Sequence, residues 1–173
     1  MTSAVVLTVI GADRPGIVES LSQVVAAHEG NWVESSMSSL AGKFAGILLL
    51  EVPTANAGAL LADLSALKET GLQIVAELSA AAGGQEVNDR EFSLELVGQD
   101  RPGIVRDITR IFANHQVNVE ELSTECQSAS MSGEELFIAN AVVRIPRSVS
   151  LVDLQDELEH LANELMVDIK LEE

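Results

Sequence analysis

The sequence predicts an α+β protein built from two tandem β-α-β-β-α-β units. Three observations carry this: an internal repeat, a fixed switch of hydrophobic period within each copy, and an aliphatic, globular composition. The chain has 173 residues, of which 47% are apolar and 21% charged, enough for a core and unlike a disordered chain. That length suits one ordinary domain or two compact ones, and the repeat decides between them. Val9-Ile10-Gly11-Ala12-Asp13-Arg14-Pro15-Gly16-Ile17-Val18 recurs 87 residues on as Leu96-Val97-Gly98-Gln99-Asp100-Arg101-Pro102-Gly103-Ile104-Val105. Leu21 and Ile108, Val24 and Ile111, Val25 and Phe112, His28 and His115, and Asn31 and Asn118 keep the same offset. The expected modules are 1–80 and 91–173, joined by a linker at 81–90 that contains Gly83-Gly84.

Residues 4–10 and 91–97 are short, β-branched-rich segments ending at a glycine, the pattern of a strand entering a turn. Helical spacing follows. Ile17, Leu21, Val24, Val25 and His28 form one face of a helix starting near Pro15, and Ile104, Ile108, Ile111, Phe112 and His115 form its counterpart from Pro102. Gly30 is placed to end the first helix at C′. Second strands are expected at 31–40 and 117–127, and third strands at 44–53 and 135–145. The second hairpin is six residues longer, mostly through Ser128 to Glu134, which reads as a mobile loop. Leu60, Leu64 and Leu67, then Leu151, Leu154, Leu158, Leu161 and Leu165, mark the second helices. Ser150 with Asp153 resembles a capping box. Final strands at 72–79 and 166–172 close each copy. This order suits a ferredoxin-like sandwich: an antiparallel four-stranded sheet of order 4-1-3-2 with two helices on one face. The other face must be covered, be polar or form an interface.

Composition excludes several functions. Aromatics make up 3%, too few for stacking platforms. Twenty-seven acidic against ten basic residues give a net charge of −17, shared as −6 in residues 1–87 and −11 in 88–173. Such a chain repels phosphate backbones and anionic membranes, so a role in transcription runs through a protein partner. Cys126 is the single cysteine, which leaves no intramolecular disulfide and no cysteine-based zinc site and fits a reducing, cytoplasmic home. Cys126 reads as a small apolar filler in a strand rather than a redox sensor. The start of the chain is unlike a secretory signal, and no run approaches the ~20 apolar residues of a membrane span. His28 and His115 read as helix C-terminal residues, and with only His160 besides they do not make a metal site.

In the Gly-x-Asp-Arg-Pro-Gly-Ile-Val segment, the first glycine is expected to permit a bent backbone, the proline to set the first helical turn, and Asp13 or Asp100 to accept free helix N–H groups. The same parts can instead hold an anion such as an amino-acid carboxylate at the helix N-terminus.

The repeated segment resembles the signature of ACT domains, small βαββαβ regulatory modules that often bind amino acids, and the resemblance covers essentially the whole chain. It implies ligand positions at the turn after strand one and the start of strand two of paired modules. On this sequence these are Gly11, Ala12, Asp13, Arg14, Pro15, Gly16 and Ile17 with Asn31, and Gly98, Gln99, Asp100, Arg101, Pro102, Gly103 and Ile104 with Asn118. An asparagine amide can serve both a carboxylate and an ammonium group. A tandem pair with no other domain resembles the glycine cleavage system transcriptional repressor family. That resemblance implies repression of the glycine cleavage operon through a LysR-type activator, with glycine or another small amino acid as the signal. The residues add the expectation of a protein that is non-catalytic, since no nucleophile–base pair is visible, has no cofactor, is homodimeric through its exposed sheet edges and faces, and does not bind DNA.

Two rivals remain. Acylphosphatases share the outline and use an arginine loop with an asparagine, but Pro15 interrupts such a loop and the adjacent acids repel phosphate. The other rival is a ligand-free adaptor whose modules supply interfaces alone. Ala12 opposite Gln99 and Trp32 opposite Val119 show that the copies have diverged.

Overall fold

The computed structural model describes residues 1–79, 89–128 and 133–173. Residues 81–88 of the expected linker and most of the long hairpin loop lie outside these residues, while Arg90, expected in the linker, opens the first strand of the second unit. The chain folds as two compact units, Met1–Gln85 and Glu86–Glu173. The first contains β1 (Thr2–Ala12), α1 (Ile17–Ala27), β2 (Asn31–Leu40), β3 (Lys43–Pro53), α2 (Ala57–Ala66) and β4 (Gln73–Ser79). The second contains β5 (Arg90–Gln99), α3 (Ile104–Asn114), β6 (Asn118–Ser128), β7 (Glu135–Ile145), α4 (Leu151–Leu165) and β8 (Val167–Glu172). Each forms an antiparallel four-stranded sheet, of order β2-β3-β1-β4 and β6-β7-β5-β8. This is the order expected from the sequence.

Alternation along the strands sends one set of side chains to the helices. Val5, Leu7 and Val9 of β1 cluster with Leu48, Leu50 and Val52 of β3 and with Ile17, Leu21, Val25, Leu60 and Leu64 of the helices. Leu94 and Leu96 cluster likewise with Val143, Ile145, Ile104, Ile108, Phe112, Leu154 and Leu158. Among the described residues no polar or charged residue is buried, and no helix is long and apolar enough to cross a membrane.

Local signals differ from their expected form in two places. Gly30 is not the left-handed residue that ends α1: Glu29 takes that role at φ 57°, and Gln116 does the same after α3. The N–H groups of Gly30 and Val117 donate to Val25 O (2.9 Å) and Phe112 O (2.8 Å), completing a Schellman-type end in both copies. Gly30 is required for contact instead, because a Cβ there would lie 2.8 Å from Val25 Cγ1. Cys126 lies in β6 as expected but is exposed, so it fills no core space. Ser150 does cap α4, accepting from the Asp153 N–H at 3.3 Å. The second strands also share an irregularity not anticipated from sequence, a register shift at Trp32/Glu34 and again at Val119/Glu121.

Candidate functional site

The repeated motif forms the link from β1 to α1 and from β5 to α3, and its glycines act differently from expectation. Gly11 and Gly98 are strand residues, not bends. A Cβ on Gly98 would lie 2.2 Å from Val167 Cγ1, and one on Gly11 would lie 2.8 Å from Leu72 Cδ2. The first glycine therefore admits the apolar side chain at the entry to the last strand, Leu72 just before β4 and Val167 at the start of β8. The left-handed backbone belongs to the second glycine: Gly16 has φ 89° and Gly103 φ 96°. Each is the N-cap of its helix, with no side-chain cap. The helices begin at Ile17 and Ile104, two residues after the prolines, which stand in the turn rather than at the first helical position.

The aspartates also turn away from the role expected of them. The Asp13 N–H donates to Gly42 O (2.9 Å) and its carboxylate accepts from Ser39 Oγ (2.7 Å), so it ties the turn to the β2–β3 hairpin. In the second unit the Asp100 N–H donates to Glu135 O at 2.9 Å. Cys126 stands 87 residues after Ser39. Desolvation beside its neighbours, then the Asp100 charge and hydrogen bond, push this exposed thiol up. Both motif arginines reach the carbonyls that follow or end their unit's second helix, Arg14 at the 3-10 turn Leu67–Thr70 after α2 and Arg101 at the last turn of α4. Arg14 Nη2 donates to Thr70 O at 3.2 Å, and Arg101 Nη2 approaches Glu164 O at 3.5 Å. A cation there complements the dipole and the free carbonyls of the helix end.

What remains open at each turn is the bare helix N-terminus, whose first N–H groups lack side-chain acceptors. The two turns differ in charge. Around the first stand Arg14, Asp13 and Glu19; around the second stand Arg101, Arg106, Arg110, Asp100 and Asp107. Arg106 Nε donates to Asp107 Oδ1 at 3.0 Å and Arg110 Nη2 lies 3.9 Å from it. The Arg106 hydrogen bond holds the Asp107 carboxyl below the usual carboxylate range, with Arg110 and Arg101 adding to it.

Asn31 and Asn118 open β2 and β6, exposed, opposite Glu51 and Arg144. They do not join the motif of their own module. In the first sheet the motif end is the row of Ala12 and Lys43, while Asn31 is in the row of Glu51 and Ala4. Eight strand residues separate these rows, about 25 Å at the usual rise.

Two βαββαβ units with this turn define a class. The ACT-domain family matches residues 3–77 and again residues 92–146, and the chain belongs to that family. It is 25% identical over 161 residues to the glycine cleavage system transcriptional repressor of Escherichia coli, spanning 92% of this chain and 84% of that one. A UPF0237 protein of Methanopyrus kandleri is 41% identical over 80 residues, 44% of this chain and 88% of its own. Among solved structures, an unknown protein from Galdieria sulphuraria superimposes with a TM-score of 0.83 at 30% identity, covering 99% of this chain and 98% of that one.

Proposed function

We propose that this chain is a non-catalytic, homodimeric regulator that senses a small amino acid, glycine first, and acts in the cytoplasm through a DNA-binding protein of the LysR type. The observation that carries the sensor reading is the motif turn itself, built twice with a left-handed glycine in front of an uncapped helix. Its bare N–H groups suit a carboxylate. The second turn is the better anion site, because Arg106 and Arg110 stand where the first has Glu19 and Gln23. An asparagine at β2 or β6 contributes only where another module brings that end of its sheet to the turn. The net charge of −17 supports action through a protein rather than on DNA, and likeness to a glycine cleavage repressor supports the regulatory role.

The adaptor reading keeps one specific support. Asp13, Arg14 and Arg101 all have partners within their own module, so the motif also serves the fold alone. A thermal-shift series against the common amino acids separates the two, since a ligand at 100 times its Kd stabilises by about 2.7 kcal/mol. The sensor reading expects a saturable, selective rise that Asn31→Ala or Asn118→Ala abolishes and Arg106→Ala weakens. No response to any amino acid would establish the adaptor.

A further inference from the structure

The two sheets leave unlike faces away from their helices. In the first module the row Ser36, Ile47, Thr8 and Val75 crosses the middle of this face, from the pairings of β3 with β2 and β1 and of β1 with β4. Ile10, Ile47 and Val75 are 45%, 51% and 61% exposed. In the second module Val97, Asn140 and Lys170 hold the matching register positions, with Glu95 in place of Thr8. The middle row of this face is open and largely apolar in the first copy and carries Glu95, Asn140 and Lys170 in the second.

Charge on that first face is polarised along the strands. Glu34, Glu51 and Glu77 lie toward one end, and Ser38, Gln73 and Lys43 toward the other. We infer that this face packs against the same face of a second copy of the chain, strands antiparallel, about a two-fold axis across the Ile47–Thr8 row. The inference rests on the dimeric reading above and names its surface. Such an axis sets each position over its mirror along the strand. Leu49 falls over the second copy's Ala45, large against small, and Val6 over its Ile10. Glu34 falls over Ser38, Glu77 over Gln73, and Glu51 over Lys43. The opposite apposition, with strands parallel, would set Glu34 over Glu77 twice and crowd all three acids of both copies at one end with no cation among them, which a chain of net charge −17 does not tolerate in an interface. Aligned sheets pack about 10 Å apart with interdigitating side chains, and this face offers them.

Sedimentation equilibrium of the full chain tests it. Wild type is expected to sediment as two chains. Ile47→Glu, at an exposed position, is expected to leave the far-ultraviolet circular dichroism unchanged and to raise the dimer Kd about 100-fold or more. Lys43→Glu and Glu51→Lys are each expected to weaken the dimer about fivefold, because the axis doubles every contact, and the double variant to restore it. A monomeric wild type would overturn both the dimeric reading and the face. A dimer that survives Ile47→Glu would overturn the face alone, and charge variants that fail to rescue each other would overturn the antiparallel arrangement.

Discussion

His28 Nε2 lies 2.8 Å from Asp63 Oδ2, and 87 residues later His115 Nε2 lies 3.1 Å from Glu157 Oε1. In each module the residue capping the end of the first helix thereby reaches a carboxylate on the second. The imidazoles are mostly covered and the acids about half exposed. The duplication thus preserved a tie between helices while changing its acid from Asp to Glu.

That tie is a measurable coupling. In a cycle of His28→Ala and Asp63→Ala, urea unfolding at pH 6 should give an interaction energy of about 0.5–1 kcal/mol. The His115→Ala and Glu157→Ala cycle should give a similar value. Independent single effects in both cycles would show that the contacts contribute nothing.

Acid stability should depend on Asp107. Its carboxyl is depressed in the folded state, first by the Arg106 hydrogen bond, so it contributes stability above the unfolded pKa of about 4. That contribution is lost as pH falls through the lower folded value. Asp107→Asn should therefore flatten the fall in urea midpoint below about pH 4 relative to wild type. An unchanged slope would refute it.

The motif glycines should differ in sensitivity to a single methyl. Gly98→Ala drives a Cβ onto Val167, including its backbone Cα at 3.1 Å, whereas at Gly11 the nearest atom is the movable end of Leu72. Gly98→Ala should cost about 2–3 kcal/mol and Gly11→Ala about half that. Val167→Ala should partly relieve the Gly98 variant, giving a double loss smaller than the sum.

Packing of the second core leaves a gap of about 20 Å³ lined by Val119, Phe112, Phe137 and Ala141. Trp32 and Leu48 occupy the positions of Val119 and Ala141 in the first module. Val119→Ile adds one methylene beside that gap and should raise stability by about 0.5–1 kcal/mol in chemical unfolding. A loss would mean that the gap cannot accept the group.

Thiol chemistry gives a readout independent of unfolding. Desolvation, then the Asp100 charge and hydrogen bond, hold the Cys126 thiol above its ordinary value. Asp100→Asn should speed alkylation of Cys126 by iodoacetamide at pH 8 about threefold. An unchanged rate would show that Asp100 has no part in its reactivity.

Element order and strand order were legible because local period and a constant 87-residue offset report them. The motif's inner workings were not. Gly11 meets Leu72 and Gly98 meets Val167, contacts more than sixty residues apart that no local pattern displays. Asp13 looked like a helix cap because it precedes a helix, but Ser39 across the hairpin takes its carboxylate. Asn31 belongs to the far end of its sheet, a fact that needs strand register and not spacing. The contrast between Thr8 with Ile47 and Glu95 with Asn140 was present in the letters, yet it became a face only once β1 lay between β3 and β4.

Within each module the outer strands of the chain path are neighbours: Ala4 at the start of β1 pairs with Ser79 at the end of β4, and Ser93 near the start of β5 pairs with Glu172 near the end of β8. Entry and exit therefore share one corner. A unit built this way can be copied end to end by unequal crossing-over, or circularly permuted in the laboratory, without cutting a sheet. Tandem duplication is the simplest elaboration open to such a gene, and the freedom it left to the second copy is written in its recharged face.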